Sequence, residues 1–232
     1  MQQVMRRLQG RAALVSAAIA VVVVMIAGAV YVFGGGGPHT STPISVPTLA
    51  ASEGGTIFTL DPSTSEATFT IDEILFGRPN TVVGKTSAVA GQIRVNRDHP
   101  AQSQVGEIKV DVSTLVTDND LRNHTLQGRI LETGDPANQY ATFTPKSLSG
   151  LPTAVTIGQP FSFKITGDLT IHQMTRAVTF DMTVTPKSET EITGQAKTMV
   201  KYQDFGIFIP DVPSVTGVSD SVGLALSFTA RA

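Results

Sequence analysis

The sequence predicts an all-β domain built from antiparallel strands, preceded by a single apolar helix that spans a membrane. From Thr56 onward, apolar and polar residues alternate with a period of two, as expected for strands with one buried and one wet face. One short helical pattern interrupts these strands. Near the N-terminus, an uninterrupted apolar run is long enough to cross a bilayer.

The apolar run occupies residues 12–33, and Ser16 is its only plainly polar side chain. As a helix rising about 1.5 Å per residue, it would span about 33 Å, which matches a hydrocarbon core of about 30 Å. Residues 1–11 carry Arg6, Arg7 and Arg11, so the positive-inside rule predicts a cytoplasmic N-terminus and an extracytoplasmic remainder.

A cleaved signal peptide, with its cleavage site at residues 27–29, is the alternative for this segment. The run is longer than the core of a signal peptide, which is usually about 7–15 residues. We therefore favour a single-pass anchor in the cell membrane. Residues 34–55, rich in Gly, Pro, Ser and Thr, predict an extended linker to a folded domain at 56–232.

Alternation is clearest in five stretches of the folded domain. Each has one apolar face: Ala67, Phe69 and Ile71; Ile108, Val110 and Val112; Phe161, Phe163, Ile165, Leu169 and Ile171; Val178, Phe180, Met182 and Val184; and Val222, Leu224, Leu226 and Phe228. Sheets with one apolar face either pair as a sandwich or close as a barrel, and periodicity alone leaves both open.

The one predicted helix begins near Thr117. Thr117 followed by Asp120 resembles a capping box, and Asp118 adds negative charge to the first turn. Gly128 predicts the end of the helix, since glycine is common just past a helix C-terminus. We expect this short helix to cover one end of the sheet structure.

Composition and motifs exclude several functions. The sequence has no cysteine, which excludes disulfides and thiolate metal sites, and no two histidines stand at ligand spacing, so no metal or cofactor is predicted. The chain after Pro38 contains fourteen basic and nineteen acidic residues, so its net charge is negative, which argues against a nucleic-acid partner. No nucleophile elbow is present, and the acidic residues are predicted to alternate outward singly, so we predict that the protein is not an enzyme.

Three stretches resemble the YceI-like family of lipid-binding proteins. They are Val110 to Arg122 continuing through residues 127–133, then Gly167 to Arg176 continuing to Phe180, and finally Asp204-Phe205-Gly206. The resemblance extends from about Thr56 to the C-terminus. It implies an antiparallel, lipocalin-like barrel, which we predict to have eight strands, holding a long apolar molecule such as a polyisoprenoid.

The predicted function is a membrane-anchored, extracytoplasmic protein that holds or carries a long-chain amphiphile. We expect the apolar lining to comprise Phe163, Ile165, Leu169, Phe180, Met182, Leu224, Leu226 and Phe228. Arg122 and Arg176 could contact an anionic lipid headgroup, or they could pair with carboxylates such as Asp118 or Asp168 at the rim. A structural or stress-protective envelope module with a filled core is the alternative function, because cavity volume cannot be read from a sequence.

Overall fold

The computed structural model describes residues 44–50 and 55–232. The predicted membrane helix at 12–33 and most of the predicted linker lie outside the described residues. None of the helices in the described part of the chain has the length and apolar character needed to span a bilayer.

In the described part of the chain, thirteen antiparallel strands form one sheet. They are β1 (Thr56–Leu60), β2 (Glu66–Leu75), β3 (Arg78–Thr86), β4 (Val89–Ala90), β5 (Gln92–Val95), β6 (Gln104–Val105), β7 (Ile108–Asp111), β8 (Tyr140–Ser149), β9 (Phe161–Ile171), β10 (Met174–Pro186), β11 (Glu191–Lys201), β12 (Val215–Thr216) and β13 (Ser221–Arg231). The predicted all-β, antiparallel fold class is confirmed.

The sheet curls around an interior. Its order is β4-β7-β8-β9-β10-β11-β13-β1-β5-β6, so β4 begins the order and β5 lies near its end. Only Gly91 separates β4 from β5 in the chain, and residues 89–95 therefore pair with β7 on one side and with β1 on the other. A Cβ atom at Gly91 would lie 2.3 Å from Ile108 Cδ1, so a larger residue here would force the Ile108 side chain to move.

The predicted count of eight strands is wrong for two physical reasons. The hairpin β2–β3 adds two strands beside the main order of the sheet. Its strand β2 pairs with the first half of β13, from Gly223 to Ser227. Irregular backbone also divides the chain into very short strands, such as β6 and β12. The alternation of apolar and polar residues identifies inward and outward positions, but it does not show where irregular backbone divides one strand into two.

The short helix, α1, runs over Asp120–Thr125, three residues past the predicted start. Asn119 caps it, because its Oδ1 accepts a hydrogen bond from Arg122 N at 3.0 Å. The Thr117 hydroxyl donates instead to Asn123 Oδ1 at 2.7 Å, so the predicted capping box is wrong. Gly128 does not end the helix, since it lies inside a wider helical turn at Leu126–Ile130.

Candidate ligand-binding cavity

A cavity of about 700 Å³ occupies the interior of the curled sheet. Apolar side chains form most of its wall, and they come from nearly every long strand as well as from α1. All eight residues predicted from alternation line it: Phe163, Ile165, Leu169, Phe180, Met182, Leu224, Leu226 and Phe228. The structure thus places the predicted apolar faces of β9, β10 and β13 along the cavity.

Strand pairing positions these side chains opposite one another. Ile165 pairs with Phe180, and Phe163 pairs with Met182, across the β9–β10 hairpin. The Phe180 ring meets Phe143 of β8 edge-on, with ring centroids 5.0 Å apart. Such aromatic pairs stabilise a wall beyond their burial alone.

Other residues of the wall were not predicted as lining, although the same signal was available for several. Phe58 and Leu60 of β1, Phe69 of β2 and Val110 of β7 all line the cavity, and each lies on the apolar face of a strand. Leu121 and Leu126 also line it, but they come from the helix and the wider turn after it, where a period of two has no meaning. Their positions depend on tertiary packing.

One end of the cavity, called the helix end, is formed by α1, the β2–β3 turn and the loop from Ile207 to Ser214. It contains Glu73, a carboxylate that is only 8% exposed and faces the cavity. Asn80 Nδ2 donates to Glu73 Oε1 at 2.9 Å, and Arg122 Nη2 lies 3.4 Å from the same oxygen. Arg122 Nη1 also lies 2.5 Å from Asp118 Oδ1.

Glu73 corrects the expectation that every acidic residue alternates outward. It continues the inward series Ala67, Phe69 and Ile71 by one more step of two, so the alternation itself carried the signal. Arg122 allows this burial, because its guanidinium supplies the opposite charge that a buried carboxylate needs.

The two arginines predicted as headgroup contacts lie in different environments. Arg122 lines the cavity and also pairs with Asp118, as the rim interpretation expected. Arg176 is exposed on β10, outside the cavity wall, and its Nη1 donates to the carbonyl oxygen of Thr175 at 2.8 Å. Asp168 pairs with Lys146 at 2.7 Å.

The opposite end, called the far end, is formed by the loop 96–103, the loop 150–160 and the β10–β11 turn. Arg97 and Glu189 line the cavity here and form an ion pair that joins the first loop to the turn. Beside this end, Arg231 pairs with Glu191 at 3.0 Å and also with Asp61. The side-chain and backbone hydrogen bonds that Ser63 donates, together with Arg231, lower the pKa of Asp61 below its ordinary value of 3.8.

From a turn between two strands, His172 contacts a carboxylate. His172 lies in the β9–β10 turn at φ +50°, and its Nε2 is 3.2 Å from Glu132 Oε2. Among the residues that the structure describes, no group of three or more His, Cys, Asp or Glu side chains could hold a metal ion.

Known proteins share this architecture. The YceI-like domain family matches residues 58–230. A polyisoprenoid-binding domain from Saccharophagus degradans, implicated in plant cell wall breakdown, is similar in structure with a TM-score of 0.56 and 15% identity, covering 75% of this chain and 98% of that domain. BcnA from Burkholderia cenocepacia has a TM-score of 0.58 and 18% identity, covering 74% of this chain and 99% of BcnA. No curated protein matches the sequence.

Proposed function

Because the chain belongs to the YceI-like family, we propose that it binds a long-chain amphiphile, such as a polyisoprenoid, and acts as a carrier rather than as an enzyme. The observation that supports this most strongly is the apolar cavity of about 700 Å³, which has a polar cluster at one end. An elongated apolar ligand with one polar terminus fits that distribution of side chains.

The size of the cavity sets the length of chain that it can hold. A methylene group is about as large as a water molecule, which occupies roughly 30 Å³. The cavity volume therefore accommodates about twenty methylene groups. Each buried CH₂ contributes about 0.8 kcal/mol, so ten of them give about 8 kcal/mol before the cost of immobilising the ligand is subtracted. Micromolar affinity needs about 8 kcal/mol net, which favours a chain longer than ten carbons.

The polar cluster favours an uncharged headgroup. Arg122 already faces two carboxylates, Glu73 and Asp118, so the cluster carries a net negative charge. An anionic headgroup would be repelled, whereas a hydroxyl or carbonyl group could exchange hydrogen bonds with Arg122 or Glu73. This proposal sets aside the anionic headgroup, which was one of the two alternatives for Arg122 and Arg176, and leaves Arg176 outside the site.

We also propose that residues 12–33 anchor the protein in the cell membrane, with the folded domain outside the cytoplasm. The length of the apolar run and the arginines that precede it support this proposal. Sequencing the N-terminus of protein extracted from membranes tests it. A mature chain beginning at Val30 would show that the segment is a cleaved signal peptide.

Mass spectrometry of gently extracted protein tests the binding function. We expect lipid with an apolar chain to co-purify at a stoichiometry near one, and to be lost when the same protein is unfolded and refolded in lipid-free buffer. If the extracted and refolded samples both lack bound lipid, and neither binds added isoprenoid, the carrier function is wrong.

A further inference from the structure

Four exposed apolar side chains belong to the segments that form the helix end of the cavity, and they are called here the apolar rim: Phe76 on the β2–β3 turn, Leu121 on α1, and Phe208 and Val212 in the loop 207–214. We propose that the apolar rim inserts into the surface of a lipid bilayer, so that the cavity opens directly onto the membrane. The proposal rests on the proposed function for what passes through this opening, but the insertion itself can be tested without any ligand.

Main-chain contacts hold separate segments of the rim together. The backbone N–H of Phe76, at the tip of the β2–β3 turn, donates to the carbonyl oxygen of Ser214 at 2.8 Å. Val215 pairs with Leu75 and also forms a bridge with Val212, which fixes the loop against this turn. Phe76, Leu121 and Val212 all line the cavity, so the rim is continuous with its wall.

The exposure of these side chains is unusual. Phe76 is 80% exposed, Leu121 78% and Phe208 72%, and these are the three most exposed large apolar side chains among the described residues. Phe76 also has φ +48°, a left-handed conformation that is unfavourable for a bulky residue. A phenylalanine that is exposed on strained backbone, at the same end of the cavity as the exposed side chains of Leu121 and Phe208, indicates a binding surface.

A bilayer fits this surface better than a charged partner does. Among the charged residues within three positions of a rim residue in the chain, Arg78 and Arg122 are offset by carboxylates that include Asp118, Asp120 and Asp211, so these segments carry no excess of positive charge. Attachment would therefore depend on burial of apolar side chains rather than on anionic lipids. The cavity behind the rim is itself apolar, and a lipid entering from the membrane would avoid crossing water.

The N-terminal chain also favours a bilayer as the occupant. The described segment 44–50 is fixed along the sheet: Lys109 Nζ donates to the Ser45 carbonyl oxygen at 3.2 Å, and Arg94 Nη1 to that of Ala50 at 3.0 Å. Only residues 34–43 separate this segment from the apolar run at 12–33. Ten residues can span at most about 35 Å, so the proposed anchor at 12–33 would keep the rim within reach of the bilayer, and weak insertion would suffice.

A single tryptophan reports insertion, because the natural chain contains none. Full-length protein carrying Phe208→Trp is incorporated into phosphatidylcholine vesicles with brominated acyl chains, which quench only nearby indoles. Phe208 is not part of the cavity wall. The matched control is Ile157→Trp, an exposed apolar position at the far end, where Gly158 N donates to the Pro186 carbonyl oxygen.

We expect the tryptophan at position 208 to be quenched about twofold or more relative to vesicles without bromine, since interfacial side chains reach about 5–10 Å into the acyl boundary. The tryptophan at position 157 should keep its fluorescence. Equal quenching at both positions, no quenching at position 208, or a blue shift there without quenching would overturn the proposal. The last result would indicate a protein partner or a second copy of this chain.

The result is independent of the carrier function. Quenching at position 208 in protein that binds no lipid would contradict the carrier function and support the rim. Bound lipid without quenching at position 208 would support the carrier function and contradict insertion of the rim. Protein that does not remain with the vesicles during flotation would also overturn the proposal.

Discussion

The two ends of the cavity differ in the kind of side chain that meets the solvent. At the helix end, apolar side chains project outward, while the charged cluster of Glu73 and Arg122 lies behind them against the cavity. At the far end, the ion pair between Arg97 and Glu189 lies at the surface, and both of its partners are substantially exposed. The ion pair that lines the cavity is therefore largely buried at the helix end and substantially exposed at the far end.

This difference gives the cavity a direction. A surface ion pair contributes little stability, about 0–1 kcal/mol, and it suits an end that faces water. Charged side chains that are largely removed from water cost free energy unless they are paired. The paired cluster of Glu73 and Arg122 at the helix end is suited to recognise the polar terminus of a ligand. We infer that the ligand enters and is recognised at the helix end, with its apolar chain extending toward the far end.

The largest expected effect separates buried from exposed aromatic residues beside the helix end. Phe205 is 1% exposed and lines the cavity, so Phe205→Ala should lower the free energy of unfolding by about 3–5 kcal/mol. Phe208→Ala, three positions later, should change it by less than about 0.5 kcal/mol. Urea unfolding of both variants measures the difference, and similar losses would contradict the assignment of Phe208 to an exposed rim.

The second prediction concerns the space between the two ends. Phe180→Trp adds volume to the cavity wall and should abolish lipid uptake, while costing less than the roughly 1–3 kcal/mol expected in a fully packed core. Thr183→Val on the outward face of the same strand should leave uptake nearly unchanged. Fluorescent lipid binding and urea unfolding measure both effects. Equal loss of binding in the two variants would end the cavity interpretation.

The third prediction compares the two charged pairs directly. Glu73→Gln leaves Arg122 facing the cavity with one carboxylate fewer, and should cost about 1–3 kcal/mol of stability. Glu189→Gln removes the exposed partner of Arg97 and should cost less than about 0.5 kcal/mol. Thermal unfolding at low and high salt measures both costs. A larger loss from Glu189→Gln would reverse the proposed contrast between the ends.

The smallest expected effect is a pH dependence beside the far end. The pKa of Asp61 is lowered, chiefly by the Ser63 hydroxyl at 2.6 Å, so its carboxylate stabilises the fold above the ordinary pKa of 3.8. That contribution is lost as the pH falls through the lowered value. Ser63→Ala should raise the pKa of Asp61 toward its ordinary value, as measured by NMR titration of the carboxyl carbon. An unchanged titration would show that Ser63 is not the main cause.

Much of the cavity wall could be predicted from the sequence, because inward positions on regular strands recur with a period of two. That rule selected Phe163 and Leu169 on β9 and Leu226 on β13, and the structure places these residues on the cavity wall. It failed where backbone hydrogen bonding is irregular. The break between β4 and β5 falls at a single residue, Gly91, and the helix cap depends on which of two nearby side chains reaches the first turn of α1.

The polar cluster was missed for a different reason. The acidic residues were expected to alternate outward, although Glu73 continues the inward series of β2. A buried carboxylate is unfavourable unless a cation meets it, and the cation here, Arg122, is distant in sequence. The exposed rim likewise joins segments that are separated by many residues. Both features depend on tertiary contacts that a single sequence does not reveal.

Binding of isoprenoid alcohols of increasing length tests the central claim most directly, because it measures the cavity through its ligand. Each added CH₂ that enters the cavity contributes about 0.8 kcal/mol, so affinity should rise about fourfold per carbon at most. We expect this rise to continue to about twenty carbons, where the volume is filled, and then to level off. An affinity that is independent of chain length, or no binding at any length, would contradict the account.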